Sequence, residues 1–158
     1  MKVHPLTTAL QWDAEAPATA ADLRALAAAT PYPLPEAYLD WLRRGNGGDG
    51  PISLDPGWLV CWCAEDVPVA NAEYGLPFLA PGFWAFGSNG REELLAFDFR
   101  SSPAAIVMLP LEGLAPEEAI RLAPSFEEFL ELAFQRERGG KVESRKLKVE
   151  NRKQKTEN

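Results

Sequence analysis

Thiols and an imidazole are the side chains that most often do chemistry, and this sequence holds two cysteines, Cys61 and Cys63, and one histidine, His4. The cysteines stand two apart, so in a strand they share one face. That pattern fits a pair of small, buried or half-buried hydrophobes. A disulfide between them is not expected in a reducing cytoplasm. A zinc site takes about four ligands, which this set does not supply, so no metal is expected. Ser–His or Cys–His catalysis would hang on His4 alone.

Carboxylates are the next candidates. They come as adjacent pairs, Glu65/Asp66, Glu92/Glu93, Glu117/Glu118 and Glu127/Glu128. Neighbouring residues on a helix or strand point apart, whereas an acid–base dyad needs side chains that converge. The glycine-rich stretches do not hold phosphate either. Gly45-Asn46-Gly47-Gly48 follows an expected helix, while dinucleotide loops follow a strand and open a helix. Gly87-Ser88-Asn89-Gly90 lacks the spacing of a nucleophile elbow. No catalytic residue and no cofactor are assigned, and the chain is read as a non-enzyme.

The charge is unevenly placed. The whole chain has 16 basic and 23 acidic residues. Nine of the basic and four of the acidic ones fall in residues 136–158, which leaves 7 and 19 in residues 1–135. An acidic globule thus carries a basic tail, a field that repels nucleic acid and attracts basic partners. Aromatic residues lie in the acidic part and cations in the tail, so specific nucleic-acid binding, which needs both interleaved, is not expected.

At 158 residues the chain fits one domain able to hide roughly 70% of its unfolded surface. The expected division is a domain over residues 1–138 and a basic, disordered tail over 139–158. The tail repeats with period seven (Lys141-Val142-Glu143-Ser144-Arg145-Lys146-Leu147, then Lys148-Val149-Glu150-Asn151-Arg152-Lys153-Gln154). Each unit has too few apolar residues for a coiled coil. The most apolar stretches, such as residues 104–109, fall far short of the ~20 residues a bilayer needs. No secretory signal is read at the start. No membrane contact and a cytoplasmic location are expected.

The positioning elements can be read from spacing. Residues 22–29 read as a helix, capped by Thr19 or Asp22. Pro35 opens a second helix with Tyr38, Leu39, Trp41 and Leu42 on its apolar stripe. Residues 46–51 read as a compact turn. Residues 58–62 read as a strand and 64–74 as a helix, and 76–82 connect onward. Strands are expected over 83–86, 94–99 and 104–109, the first two joined by the Asn89-Gly90 hairpin signal. Residues 119–123 fit a short strand or the end of a helix begun at Pro116. Ser125 and Glu128 form a capping-box pattern ahead of an apolar face of Phe126, Phe129, Leu130, Ala133 and Phe134. Hairpin-joined strands between helices at both ends argue an α+β class with a central, mainly antiparallel sheet.

Three segments resemble one family. Leu34-Pro35-Glu36-Ala37-Tyr38-Leu39-Asp40-Trp41-Leu42, followed by Asn46-Gly47-Gly48, is similar to the opening motif of SMI1/KNR4 (SUKH) domains. Trp84-Ala85-Phe86-Gly87-Ser88-Asn89-Gly90 with Leu95-Ala96-Phe97-Asp98 resembles their glycine-turn hairpin. Ala123-Pro124-Ser125-Phe126-Glu127-Glu128-Phe129-Leu130 resembles their final helix. The resemblance implies an α+β domain with helices packed on a central sheet. It implies a protein-binding role: many bacterial members are taken to be immunity proteins against polymorphic toxins, often nucleases, and fungal members are regulators. Pro35, Tyr38, Asn46, Gly47, Gly48, Phe126 and Phe129 are then fold-defining positions.

The expected partner is a protein, with a basic toxin domain as the leading choice, held by acids in or beside loops. These are Asp49, Asp55, Glu92, Glu93 and Asp98, with Trp58 as an anchor. A housekeeping interaction module without a toxin partner is the alternative, and a carboxylate-dependent hydrolase the second. The oligomeric state is left open.

Overall fold

The structure is a computed structural model, and it describes residues 12–135. His4, Arg136, Arg138 and the basic tail lie outside the described residues. The order of elements is β1 (Asp13–Ala14), α1 (Ala20–Ala29), α2 (Glu36–Arg44), β2 (Gly48–Pro51), β3 (Trp58–Cys61), α3 (Asp66–Tyr74), α4 (Leu76–Leu79), β4 (Phe83–Ser88), β5 (Glu93–Asp98), β6 (Ala105–Pro110), β7 (Ile120–Ala123) and α5 (Phe126–Ala133). The described strands form one seven-stranded sheet in chain order, each neighbour antiparallel to the next. This is the α+β arrangement that the spacing implies.

The helices start where their caps allow. Of the two candidate caps for α1, Thr19 takes the role. Its Oγ1 accepts from the Asp22 N–H at 3.0 Å, and its own N–H donates to Asp22 Oδ2 at 2.9 Å, so the helix begins at Ala20 rather than at residue 22. At α5, Ser125 Oγ accepts from the Glu128 N–H at 3.2 Å. The Glu128 carboxylate meets the Ser125 hydroxyl at 3.1 Å instead of reaching back to the backbone.

Two stretches differ from their sequence-based expectation, and at a third the structure decides between two readings. Residues 46–51 are not only a turn, because Gly48–Pro51 is a strand paired with both β1 and β3. Its glycines permit that pairing: a Cβ on Gly48 would lie 2.5 Å from Asp13 O, and one on Gly47, at φ +94°, 2.6 Å from Cys61 O. The connector over 76–82 contains the short helix α4. Residues 119–123 resolve as a strand, preceded by a 3₁₀ turn at Pro116–Glu118.

Over β4–β6 the sheet is buried on both faces. On the first, α1, α2 and α5 close over Phe86, Leu95, Phe97 and Ile106. Tyr38 is the hub of that core, with ring centroids 5.1 Å from Phe97 and 5.4 Å from Phe126. On the second face, Leu76 and Leu114 cover Phe83, Ala85, Leu94 and Leu109.

The β4 edge is shared between two kinds of partner. β3 pairs with it only at Val60↔Ser88 and Cys61↔Gly87, and Trp62 N–H adds one bond to Phe86 O at 3.0 Å. The chain then turns away into α3, and a side chain replaces the strand. Asn71, fully buried, donates Nδ2 to Ala85 O at 2.9 Å and accepts the Ala85 N–H on Oδ1 at 2.8 Å. Its Nδ2 also donates to Val67 O at 2.8 Å. A carboxamide offers the same donor–acceptor pair as a peptide, so the buried backbone stays satisfied without a strand.

Asn71→Ala strips both partners from Ala85 in a buried setting. The expected loss is about 2–3 kcal/mol of unfolding free energy in urea titration. Asn71→Asp, which keeps the acceptor and loses the donor, is also expected to destabilise.

Candidate partner-binding surface

Residues paired across an antiparallel sheet point to the same face. The register therefore draws one row across the second face: Asp13, Asp49, Val60, Ser88, Leu94, Leu109. Leu94 and Leu109 lie in the second core. At the β1–β3 end the row is open: Asp13 is exposed, and Asp49, Val60 and Ser88 are half-buried. Trp58, two residues before Val60 and on the same face, is 42% exposed. Trp62, two residues after it, stacks on Tyr74 of α3 at 6.2 Å with 21° between the planes. The second face is thus covered over β4–β6 and open over β1–β3, where Trp58 and Val60 stand among acids.

More acids gather near the same strands. Cys63, just after β3, has its thiol pKa raised first by burial and then by Glu65, Asp66 and Glu15. Their negative charge disfavours the thiolate. Asn46 ties one of them in place. Its Oδ1 accepts from the Ala64 N–H at 2.7 Å, and its Nδ2 donates to Glu65 at 3.0 Å. Asn46 is therefore a buried pin between α2 and the start of α3 as well as a turn residue. From residue 45 to residue 90 the sequence has five acids (Asp49, Asp55, Glu65, Asp66, Glu73) and neither lysine nor arginine.

The sequence-predicted contact residues divide. Asp49 and Trp58 share the open face. Asp55 is exposed in the β2–β3 turn. Glu92 and Glu93 sit at the β4–β5 turn, which the Val60↔Ser88 pairing sets at the Trp58 end of the sheet. Glu93 is partly engaged, with its carboxylate accepting from Asn89 Nδ2 at 3.0 Å. Asp98 lies at the other end of β5, ~17 Å from Glu93 at ~3.4 Å per residue. It is held by Arg100, whose Nε and Nη2 donate to its two oxygens at 2.9 and 3.0 Å. Burial alone would raise the Asp98 carboxyl, but the Arg100 guanidinium and backbone N–H outweigh it and hold it below the ordinary range. Asp98 thus belongs to a loop ion pair apart from the open face.

The motif residues Pro35, Tyr38, Phe126 and Phe129 cap or fill the first core. Cys61 is buried there, and burial pushes its thiol up to about 12 despite the Trp41 side chain, which favours the thiolate. A cleft of about 360 Å³, lined by Thr30, Pro31, Pro68, Pro77, Trp84 and nearby alanines, carries no carboxylate, so it is no place for a hydrolytic pair. Among the described residues, no group of three or more His, Cys, Asp or Glu side chains could hold a metal ion. No described helix is long and apolar enough to cross a membrane.

Asp13, Glu15, Val60, Trp62 and Tyr74 were not candidates on sequence. The signal pointing to the region is the 45–90 stretch without positive charge. Compared with known proteins, the chain matches the family model for SMI1 / KNR4 (SUKH-1) over residues 17–132. No curated protein matches it.

Asp98→Asn is expected to cost about 1 kcal/mol near neutral pH, since Arg100 is half exposed. The Asp98 carboxyl titrates lower in the folded protein than in the unfolded chain. Its contribution is therefore fully present above about pH 4 and is lost as pH falls through the folded value. Urea titrations of both proteins across that range should converge at the acid end.

Proposed function

The chain belongs to the SMI1/KNR4 family (SUKH-1), and from that membership we propose that it is a non-catalytic protein-binding domain of the immunity type, acting in the cytoplasm. Its partner is a basic toxin domain, and its action is occlusion. The observation that carries the reading is the open β1–β3 face, where a half-exposed Trp58 shares its side of the sheet with Asp13 and Asp49 on strands that carry no lysine or arginine.

Electrostatics supports the choice of partner. A toxin that acts on nucleic acid needs a positive surface for phosphates. A face of fixed carboxylates competes for that surface and raises the rate of encounter. Trp58 supplies what charge alone does not, a large apolar anchor of the kind that dominates interface energies. Asp49 and Asp55 are the rim acids, with Glu92 and Glu93 flanking them from the neighbouring turn. No chemical step is assigned to any residue, since covering a partner's active surface needs none.

The full chain, used to capture proteins from its native host, should recover one stoichiometric basic partner with a toxin domain. Titration of that purified partner should show roughly tenfold or more weaker binding for Asp49→Lys/Asp55→Lys and for Trp58→Ala, with unchanged circular dichroism. Equal binding by both variants would remove this face from the site. Recovery of host regulatory proteins alone would replace the immunity role with a regulatory one.

A further inference from the structure

The chain leaves its last helix at the β1 side of the sheet, across that edge from the open acidic face. Ala133, the last residue of α5, accepts on its carbonyl from the Ser53 N–H at 2.8 Å. Ser53 lies between β2 and Asp55. Phe134 packs edge-on against Trp12 at 5.4 Å, and Trp12 directly precedes β1. Gln135 therefore ends beside β1, the edge strand among the described residues. α5 packs on the first face, and the open face is on the other side of that edge.

The segment that continues from Gln135 carries the opposite charge. Residues 136–158 hold nine basic and four acidic residues. The two seven-residue units each place a lysine first and an Arg-Lys pair fifth and sixth: Lys141 with Arg145-Lys146, and Lys148 with Arg152-Lys153. Neighbouring strands lie ~4.8 Å apart, and the six residues from Gln135 to Lys141 span up to ~20 Å when extended. The first unit can thus pass the edge and reach Asp13, Asp49 and Asp55. A tethered segment acts at an effective concentration in the millimolar range, so weak ionic contacts suffice to hold it near.

We propose that the basic segment 136–158 is an intramolecular occupant of the β1–β3 face, held by Asp13, Asp49 and Asp55, and that a basic partner must displace it. Like-charge rows on adjacent strands are destabilising, and the Asp13↔Asp49 pair is one. The segment neutralises that row in the free protein. It also screens the face from weakly basic bystanders, so that only a partner that also engages Trp58 competes well. The displacement step rests on the proposed function, whereas occupancy of the face needs no partner to be present.

The test is zero-length cross-linking of the full chain alone with a water-soluble carbodiimide, which joins a carboxylate to a lysine amine with net loss of water. Peptide mapping of the monomer is expected to find Lys141, Lys146 or Lys148 joined to Asp13, Asp49 or Asp55. The links should form at about 0.01 M salt and disappear at about 1 M, where the screening length falls from ~30 to ~3 Å. Asp13→Asn/Asp49→Asn/Asp55→Asn should abolish them with circular dichroism unchanged. Links only to the α5 acids Glu127, Glu128 and Glu131, or none, would overturn the proposal. Links found only in a covalent dimer would assign the face to a second copy and overturn it as well. If the toxin reading fails, these cross-links are still expected; if the cross-links fail, the partner assay stands.

Discussion

The Asn71 carboxamide, clasping the Ala85 peptide, is the contact on which the rest of the arrangement depends. β3 runs alongside β4 for only two paired residues before the chain departs. In a hydrophobic interior the remaining β4 edge would be left with unpaired peptide groups, at a cost comparable to lost hydrogen bonds. Asn71 removes that cost with two bonds to one residue, so α3 can lie against a strand edge that would otherwise demand another strand. With α3 and α4 held there, Leu76 covers the second face over β4–β6. β1–β3 extend past this cover, and their second face stays open. An ordinary structural need thus leaves an uncovered surface.

Both faces of the sheet contribute to that outcome in different ways. The first is sealed by an aromatic cluster around Tyr38, whose hydroxyl is buried without a hydrogen-bond partner and whose pKa is raised well above the ordinary value, first by burial and then by Cys61. A polar group kept unpaired in the core is costly, and the ring contacts of Tyr38 to Phe86, Phe97 and Phe126 offset it. That core anchors α5 and fixes where the chain exits, beside β1. The second face, half covered, presents Trp58 and Val60 next to carboxylates on β1 and β2. Fold and surface charge are therefore linked through strand register: a one-residue slip of β2 would turn Asp49 inward.

The helices were legible in the sequence because their signals are local. Thr19 with Asp22, Pro35 before Tyr38, and Ser125 with Glu128 each mark a start within four residues. Strands β4–β6 were legible as apolar runs around Asn89-Gly90. β1 and β2 were not, since a two-residue strand and a glycine-rich one carry no period; they exist through pairing with β3 across the fold. The surface divides in the same way. Asp49 and Trp58 could be proposed from type and place, but their meeting with Asp13, Trp62 and Tyr74 depends on long-range register. Asp98 could be read as a turn-capping acid or a contact, and the Arg100 N–H, which donates to its Oδ1 at 3.0 Å, shows the capping role.

The claim that joins these parts is that the open β1–β3 face receives the basic partner. Hydroxyl-radical footprinting of the full chain, free and bound to its captured partner, tests it at single residues. Strong protection of Trp58 on binding is expected, with Ile120 and Leu132, exposed elsewhere, labelled equally in both states. Equal labelling of Trp58 in both states, or protection confined to Ile120 and Leu132, would contradict it.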